Sequence, residues 1–349
     1  MKKVPVAILG ATGAVGQRFI QLLENHPWFF VSEVVGKSSV GRKYGDAAHW
    51  ILDGNVPASV ADMVIKSLDD DLQSPVLFSA LPKEAALDYE EKFAARGHIV
   101  CTNASAHRMA PDVPLLLPEV NANHLDLLKI QRARRGWSGA LVANSNCTVM
   151  PVVMSLSPLL CYGVTQVMMV SEQAVSGAGY PGVSSLDIID NIIPYVPSDE
   201  EKMEQESRKM LGALVDDSIN EATFAASATC TRVPVIDGHL VTISVSLNAR
   251  PSLDEVIATW QNFSPPAIVK ELPSAPSPSL YVLPQIDRPQ PRRDRMAGNG
   301  MATSIGRLRE CPIMGYKFVA LSHNTIRGAA GCSILNAELL AVEGYIPGF

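Results

Sequence analysis

Charge and aromatic rings are both scarce in this chain. Of its 349 residues 18% are charged and 6% aromatic, and no dense block of Lys and Arg occurs anywhere. With 29 basic against 35 acidic residues, the electrostatic footprint of a nucleic-acid binder is missing. No apolar run approaches the ~18 residues of a transmembrane helix, so no membrane role is expected. The start Met1-Lys2-Lys3 is basic, but Gly10 cuts the apolar run Val4 to Leu9 short of a signal-peptide core. Cys101, Cys147, Cys161, Cys230, Cys311 and Cys332 form no CxxC pair and have no metal-ligand spacing with histidine. That argues against a disulfide framework and a metal site, and for reduced thiols in a cytoplasmic protein. Apolar residues, by contrast, make up 47%, in a chain too long for one ordinary core. A well-buried, two-domain, enzyme-like protein is expected.

The first third alternates strand-like and helix-like segments. Val4 to Leu9 has strand length, Gly10-Ala11-Thr12-Gly13-Ala14-Val15-Gly16 follows, and Gln17 to Glu24 has helical spacing. Strand, glycine turn and helix form a phosphate cradle: glycines let the backbone approach a pyrophosphate, and the helix start supplies N–H donors. The spacing is GxxGxxG rather than GxGxxG. After the next strand, Phe29 to Val35, an NAD site would carry an acid for the ribose hydroxyl. Here stand Gly36-Lys37-Ser38-Ser39-Val40-Gly41-Arg42-Lys43, whose hydroxyls and cations suit the 2′-phosphate of NADP. Pro75 to Ser79 and Ile99 to Asn103 read as further strands around a helix from Lys83 to Arg96, so a doubly wound parallel sheet is expected. Ser79 and Asn103 fall at strand C-termini, where such sheets bind ligands. Arg108 follows the same edge as an anion holder, and its neighbour His107 reads as a surface residue.

The stretch Ala140-Leu141-Val142-Ala143-Asn144-Ser145-Asn146-Cys147-Thr148-Val149-Met150-Pro151 ends a strand, turns, presents a thiol and starts an apolar helix. Unpaired N–H groups and the helix dipole there favour a thiolate and an oxyanion. Cysteine is also among the commonest buried residues, so this stretch alone leaves nucleophile and packing both open. Beyond it, Gln166 to Val170 reads as a strand, followed by the small-residue loop Ser171 to Gly182. Asp199-Glu200-Glu201 opens a helix in which the dipole explains the acids and Lys202 is ordinary unless it meets a phosphate. Ser227 to Leu247 alternates around Asp237-Gly238 and reads as a β-hairpin, with His239 just after the turn. In the proline-rich 273–295, Leu280 to Leu283 suggests an ordered edge strand. Phe318 to Ser322 is a last strand and Cys332 to Glu343 a last helix. There are no internal repeats.

Taken together these strings resemble the aspartate-β-semialdehyde dehydrogenase family, in its archaeal and fungal branch. The likeness includes Gly10 to Phe19, Ser145-Asn146-Cys147-Thr148, Ser176-Gly177-Ala178-Gly179, Asp190 to Tyr195, Glu201-Lys202-Met203-Glu204, Arg232 with Asp237-Gly238-His239, Asp287 to Arg292 and Ser322 to Gly331. The resemblance implies an α/β protein. An N-terminal Rossmann NADP-binding domain (1–146 with about 325–349) would join a glyceraldehyde-3-phosphate dehydrogenase-like catalytic and dimerisation domain (147–324). It implies Cys147 as acyl-enzyme nucleophile, His239 as general acid/base and Gln173 as orienter of the carbonyl. Arg232 would hold the substrate carboxylate, Arg108 and Lys202 the phosphate with Asn146 nearby, and Asp199 or Glu200 the amino group. Gly10, Thr12, Gly13, Ala14, Val15, Ser38, Ser39, Ser79, Ser176, Gly177 and Asn324 would hold NADP.

The implied reaction is NADPH-dependent reductive dephosphorylation of aspartyl phosphate to aspartate semialdehyde, the branch point towards lysine, threonine and methionine. It needs a depressed thiol pKa, an acid and two anion sites. Implied partners are the small-molecule substrate, phosphate, and a second or further copies in a homodimer or homotetramer. The alternatives are another acyl reductase on the scaffold, such as malonyl-CoA reductase or N-acetyl-γ-glutamyl-phosphate reductase, and a protein that senses NADP without turnover.

Overall fold

Two sheets organise the chain in a computed structural model that describes residues 3–349. The first contains β1 (Val4–Leu9), β2 (Phe29–Val35), β3 (Val76–Ser79), β4 (Ile99–Thr102) and β5 (Ala140–Ala143) in the order β2-β1-β3-β4-β5. Every pairing in it is parallel. Its central strands are buried on both faces, which is why Val76-Leu77-Phe78 and Ile99-Val100-Cys101 read as continuous apolar runs rather than alternating ones. The chain leaves β1 towards β2 and returns on its other side with β3, so the crevice of this sheet opens where Gly10 ends β1. Gly10 has φ +77°, and a Cβ there would lie 2.8 Å from Ala80 O. A Cβ on Gly16 would lie 2.3 Å from Gly10 O. The glycine turn is thus set by one left-handed backbone and one close approach of helix to strand. The helix Ala14–Leu23 then buries Phe19, Ile20 and Leu23 against the sheet.

The second sheet has six strands: β6 (Val164–Gln173), β9 (Ala225–Arg232), β10 (His239–Leu247), β11 (Leu280–Leu283), β12 (Thr303–Cys311) and β13 (Gly315–Ser322), ordered β11-β12-β13-β10-β6-β9. A separate hairpin joins β7 (Ala213–Val215) to β8 (Ser218–Asn220). The hairpin expected across Asp237-Gly238 does not form. β6 lies between its two arms, parallel to β9 (Gln173 opposite Arg232) and antiparallel to β10 (Leu240 opposite Glu172). The reason is local. Val233 N bonds Gln173 O, while Val175 N bonds Val235 O and Ser176 N bonds Ile236 O. Residues 233–236 therefore run on beside the end of β6 instead of folding back. The edge strand expected at Leu280–Leu283 is present as β11. Its neighbour β12 gave no signal, because Arg307-Leu308-Arg309-Glu310 is too polar to read as a strand.

The helices Val149–Leu156 and Leu253–Gln261 cover one face of this sheet, with Trp260 stacked edge-on to Phe318 at 4.9 Å. Met168 and Val170 lie exposed on the other. The last helix, Gly331–Val342, buries Ile334, Leu335, Leu339 and Leu340 in the same cluster as Val6, Ile8, Phe78 and Ile99 of the first sheet. His107, expected at the surface, is buried beside Glu90. No helix among the described residues is long and apolar enough to cross a membrane.

Candidate active site

β5 delivers the thiol. Asn144 N bonds Thr102 O at 2.8 Å, carrying the sheet ladder one residue past the strand. Asn146 then folds the chain over: its Oδ1 accepts Thr148 N at 2.8 Å and its carbonyl accepts Val149 N at 3.0 Å. Cys147 is left at the entrance of the Val149–Leu156 helix, partly open to the cleft.

His239, the first residue of β10, comes from the second sheet and sets Nε2 3.2 Å from Cys147 Sγ. Its Nδ1 accepts Ala174 N–H at 3.0 Å. That bond assigns the neutral ring its proton on Nε2, the nitrogen facing sulfur. Gly177 borders the same place, since a Cβ there would lie 2.8 Å from Arg232 Nη1 and 3.0 Å from His239 Nε2. Arg232 ends β9 and donates from Nη1 to Ala174 O at 2.8 Å.

Asp199 joins the remaining groups. Its Oδ2 accepts Gln173 Nε2 at 3.1 Å, and its Oδ1 accepts Asn146 Nδ2 at 3.1 Å and Lys202 Nζ at 3.0 Å. Arg108 reaches the cluster from the loop after β4, bonded through Nη2 to Asn103 O at 2.7 Å and through Nη1 to Glu206 Oε1 at 3.0 Å. Glu206 Oε2 accepts Asn146 N–H at 2.6 Å. Cys147, His239, Gln173, Arg232, Asn146, Asp199, Lys202 and Arg108 are thus brought into one connected cluster. Glu200 is not: its carboxylate turns to Cys230 N at 2.9 Å and ties the helix to β9. One helical step separates Asp199 from Glu200, and that step points them to different sides.

The thiol departs from expectation. Burial pushes Cys147 up to about 11, Asp199 adds to the rise, and the cations Arg108 and Arg232 only partly oppose it. His239 is pushed down to about 3, by burial first and then by Arg232 and His323. Desolvation of a single enclosed charge outweighs a short helix dipole here, so the resting pair is thiol and neutral imidazole.

The residues expected to hold the nucleotide come from several elements. Gly13 caps the Ala14–Leu23 helix with no side-chain acceptor of its own, leaving the first-turn N–H groups beside Thr12, Ala14 and Val15 to an anion. Ser38 and Ser39 sit in the turn after β2; the neighbouring cavity of about 290 Å³ is lined by Gly36, Lys37 and Ser67 but also by the acids Asp69, Glu84 and Asp88, so the anion-holding groups here are the turn's own hydroxyls and Lys37. Ser79 ends β3. Ser176 Oγ accepts Asn324 Nδ2 at 2.8 Å, and Asn324 Oδ1 accepts Gly238 N at 2.8 Å. That pair sits next to Gly177 and hence to the thiol pair, and Arg18 Nε of the helix after the glycine turn donates to the adjacent Thr325 Oγ1 at 3.2 Å. The donor set fits a phosphorylated dinucleotide.

Sequence reading missed two members. Glu206 follows Asp199 by seven residues and Lys202 by four, so helical spacing gave a signal for it. Gly328 gave none: a Cβ there would lie 2.5 Å from Cys147 Cβ, a contact between residues far apart in the chain.

Residues 5–128 match the family model "Semialdehyde dehydrogenase, NAD binding domain", and residues 156–327 match "Semialdehyde dehydrogenase, dimerisation domain". An aspartate-semialdehyde dehydrogenase of Archaeoglobus fulgidus is 46% identical over 98% of this chain and 99% of its own. That of Saccharomyces cerevisiae is 39% identical over 99% of both chains. A crystal structure of the Candida albicans enzyme with NADP superimposes with a TM-score of 0.90 at 38% identity, covering 99% of this chain and 100% of that one.

Proposed function

This chain belongs to the aspartate-semialdehyde dehydrogenase family, and from that premise we propose how its residues divide the work of making L-aspartate 4-semialdehyde from L-aspartyl-4-phosphate. The observation that carries the reading is Cys147 Sγ at 3.2 Å from His239 Nε2, with Arg232 and Arg108 both close enough to bias the thiol. A nucleophile, a proton donor and two cations match a substrate with an acyl carbon, a carboxylate and a phosphate.

Arg232 takes the α-carboxylate, Asp199 the α-ammonium, and Arg108 with Lys202 the phosphate. Asn146 N–H is occupied by Glu206, Thr148 N by Asn146 Oδ1 and Val149 N by Asn146 O. That leaves the Cys147 N–H to meet the oxyanion, with Gln173 steering the carbonyl. The Cys147 proton passes to the departing phosphate as sulfur bonds to the acyl carbon and the carbon–oxygen bond to phosphate breaks. NADPH, when bound, supplies the hydride that reduces the resulting Cys147 thioester. His239 Nε2–H supports sulfur as the carbon–sulfur bond breaks and the aldehyde leaves.

NADP is held by Gly10, Thr12, Gly13, Ala14, Val15, Ser38, Ser39, Ser79, Ser176, Gly177 and Asn324. Residues 1–146 with about 325–349 form the nucleotide unit and 147–324 the catalytic and dimerisation unit. The exposed face of β6 with Met168 and Val170 supports a homodimer or homotetramer. A cytoplasmic place in amino-acid biosynthesis accords with reduced thiols, since all six cysteines are free.

The test is the reverse reaction: aspartate semialdehyde, phosphate and NADP, with NADPH formation followed by absorbance. Phosphate-dependent turnover that falls by at least 10⁴-fold in Cys147→Ala, roughly the loss expected for a covalent nucleophile, is the expected result. Near wild-type turnover in that variant, or activity with malonyl-CoA and none with aspartate semialdehyde, overturns it.

A further inference from the structure

We propose that Glu206 is a positioning residue of the cysteine centre: a single carboxylate that fixes the phosphate-binding cation and the nucleophile turn relative to each other. The inference rests on the reaction argued above.

Asp199, Lys202 and Glu206 fall at i, i+3 and i+7 of the helix Asp199–Met210, along with Met203 and Met210. This one face is directed into the protein: Met203, Glu206 and Met210 are each at most 2% exposed. A carboxylate so enclosed is retained only where strong donors occupy it. Both of its oxygens are used: Oε1 by Arg108 Nη1 at 3.0 Å and Oε2 by the Asn146 peptide N–H at 2.6 Å. The first donor comes from the loop after β4 and the second from the turn after β5. Glu206 is therefore where two neighbouring strand ends of the first sheet are tied to a helix that lies outside that sheet.

Two consequences follow for chemistry. With Asn146 N–H occupied, the Ser145–Asn146 peptide plane cannot rotate freely, and with the Asn146 carbonyl on Val149 N the next plane, which carries the Cys147 N–H, is held between the two bonds. With Nη1 on Glu206 and Nη2 on Asn103 O, Arg108 presents its remaining edge. Its Nε is buried with no hydrogen-bond partner among the described residues, a donor that the protein's own groups leave unused. Lys209, one turn further along the helix, braces the same loop by donating to Arg108 O, Ala110 O and Val113 O at 2.7–2.9 Å. The loop backbone is thereby held independently of Glu206, so loss of the carboxylate is expected to free the guanidinium without unfolding the loop.

The test compares E206Q with the wild type and with E204Q. Glu204 is a neighbouring carboxylate of the same helix that only caps Ala228 N, at 2.9 Å. Gln keeps the shape of Glu but turns one acceptor into a donor facing a donor. The expected result is a kcat about 10²-fold lower, as a displaced reacting group gives, with the KM for phosphate raised at least tenfold. The KM for NADP and the melting temperature should stay near those of E204Q. A second readout needs no substrate: the rate of Cys147 alkylation by anionic iodoacetate divided by that by neutral iodoacetamide. Positioning predicts a lower ratio in E206Q, because Arg108 no longer stands beside the thiol. A role of charge alone predicts a higher ratio, because an anion has been removed. Wild-type turnover with E206Q unchanged in phosphate KM, or a raised alkylation ratio, overturns the inference. An inactive wild type with a lowered ratio overturns the reaction and leaves the positioning intact. If E206Q does not fold, E206D, which keeps the charge but spans only one partner, is read by the same two measurements.

Discussion

At the scale of single residues, the thiol is the informative case. A cysteine at a helix entrance beside two arginines is expected to ionise easily, yet enclosure pushes Cys147 up to about 11. The direction matters for reactivity: a raised thiol pKa means less thiolate at neutral pH, and more with each unit of alkalinity. Alkylation of Cys147 by iodoacetamide in the free enzyme should therefore rise roughly tenfold per pH unit from pH 7 to 10, following the thiolate fraction. A plateau already reached near pH 7, in rates read by mass spectrometry of the modified peptide, would contradict this. His239 is held neutral, down to about 3. It contributes as a donor through Nε2 rather than as one half of a resting ion pair. The residue types were legible in the sequence, and the proton positions were not. Desolvation depends on everything that surrounds a group, and neighbours in the chain supply only a part of that.

At the scale of elements, most strands and helices follow from local pattern, and the exceptions are instructive. The turn at Gly10, Gly13 and Gly16 was legible because its reasons are local: a left-handed backbone and a helix packed on its own preceding strand. The Asp237-Gly238 hairpin was misread because a turn signal says nothing about which third strand competes for the pairing, and β6 won it. Gly328 belongs to the turn that leads into the last helix, and its smallness serves Cys147 rather than its own backbone. Adding one methyl there, Gly328→Ala, places a carbon 2.5 Å from Cys147 Cβ, closer than carbon atoms approach without bonding. The nucleophile turn must shift, and a displacement near 1 Å costs about 10²-fold in kcat. Steady-state kinetics beside a melting curve checks this, with turnover expected to fall far more than stability.

At the scale of the whole molecule, the two sheets are joined where the chain passes from one to the other. Arg327 and Glu119 form an ion pair of 2.8 Å, both side chains wholly buried. This pair holds the turn before the last helix to the segment following β4, close to Cys147 through the adjacent Gly328. Removing one partner strands the other's charge in the interior. Glu119→Gln should cost about 3–5 kcal/mol in unfolding free energy, whereas replacing both by apolar residues of similar volume should recover most of that loss. Denaturant titration of the two variants beside the wild type measures the difference. A Glu119→Gln protein as stable as the wild type would show that the pair contributes nothing.

The sequence by itself determined the parallel sheet, the phosphate cradle and the residue types of the centre, because strand periodicity, glycine spacing and helix starts are properties of adjacent residues. Only the tertiary structure decided which of these residues meet. It brought His239 and Arg232 from two strands separated by β6, joined Arg108 to Glu206 across nearly a hundred positions, set Gly328 against Cys147, and turned Glu200 away from Asp199. Those outcomes depend on strand order and on which groups lose their water together, and no local stretch of chain carries either.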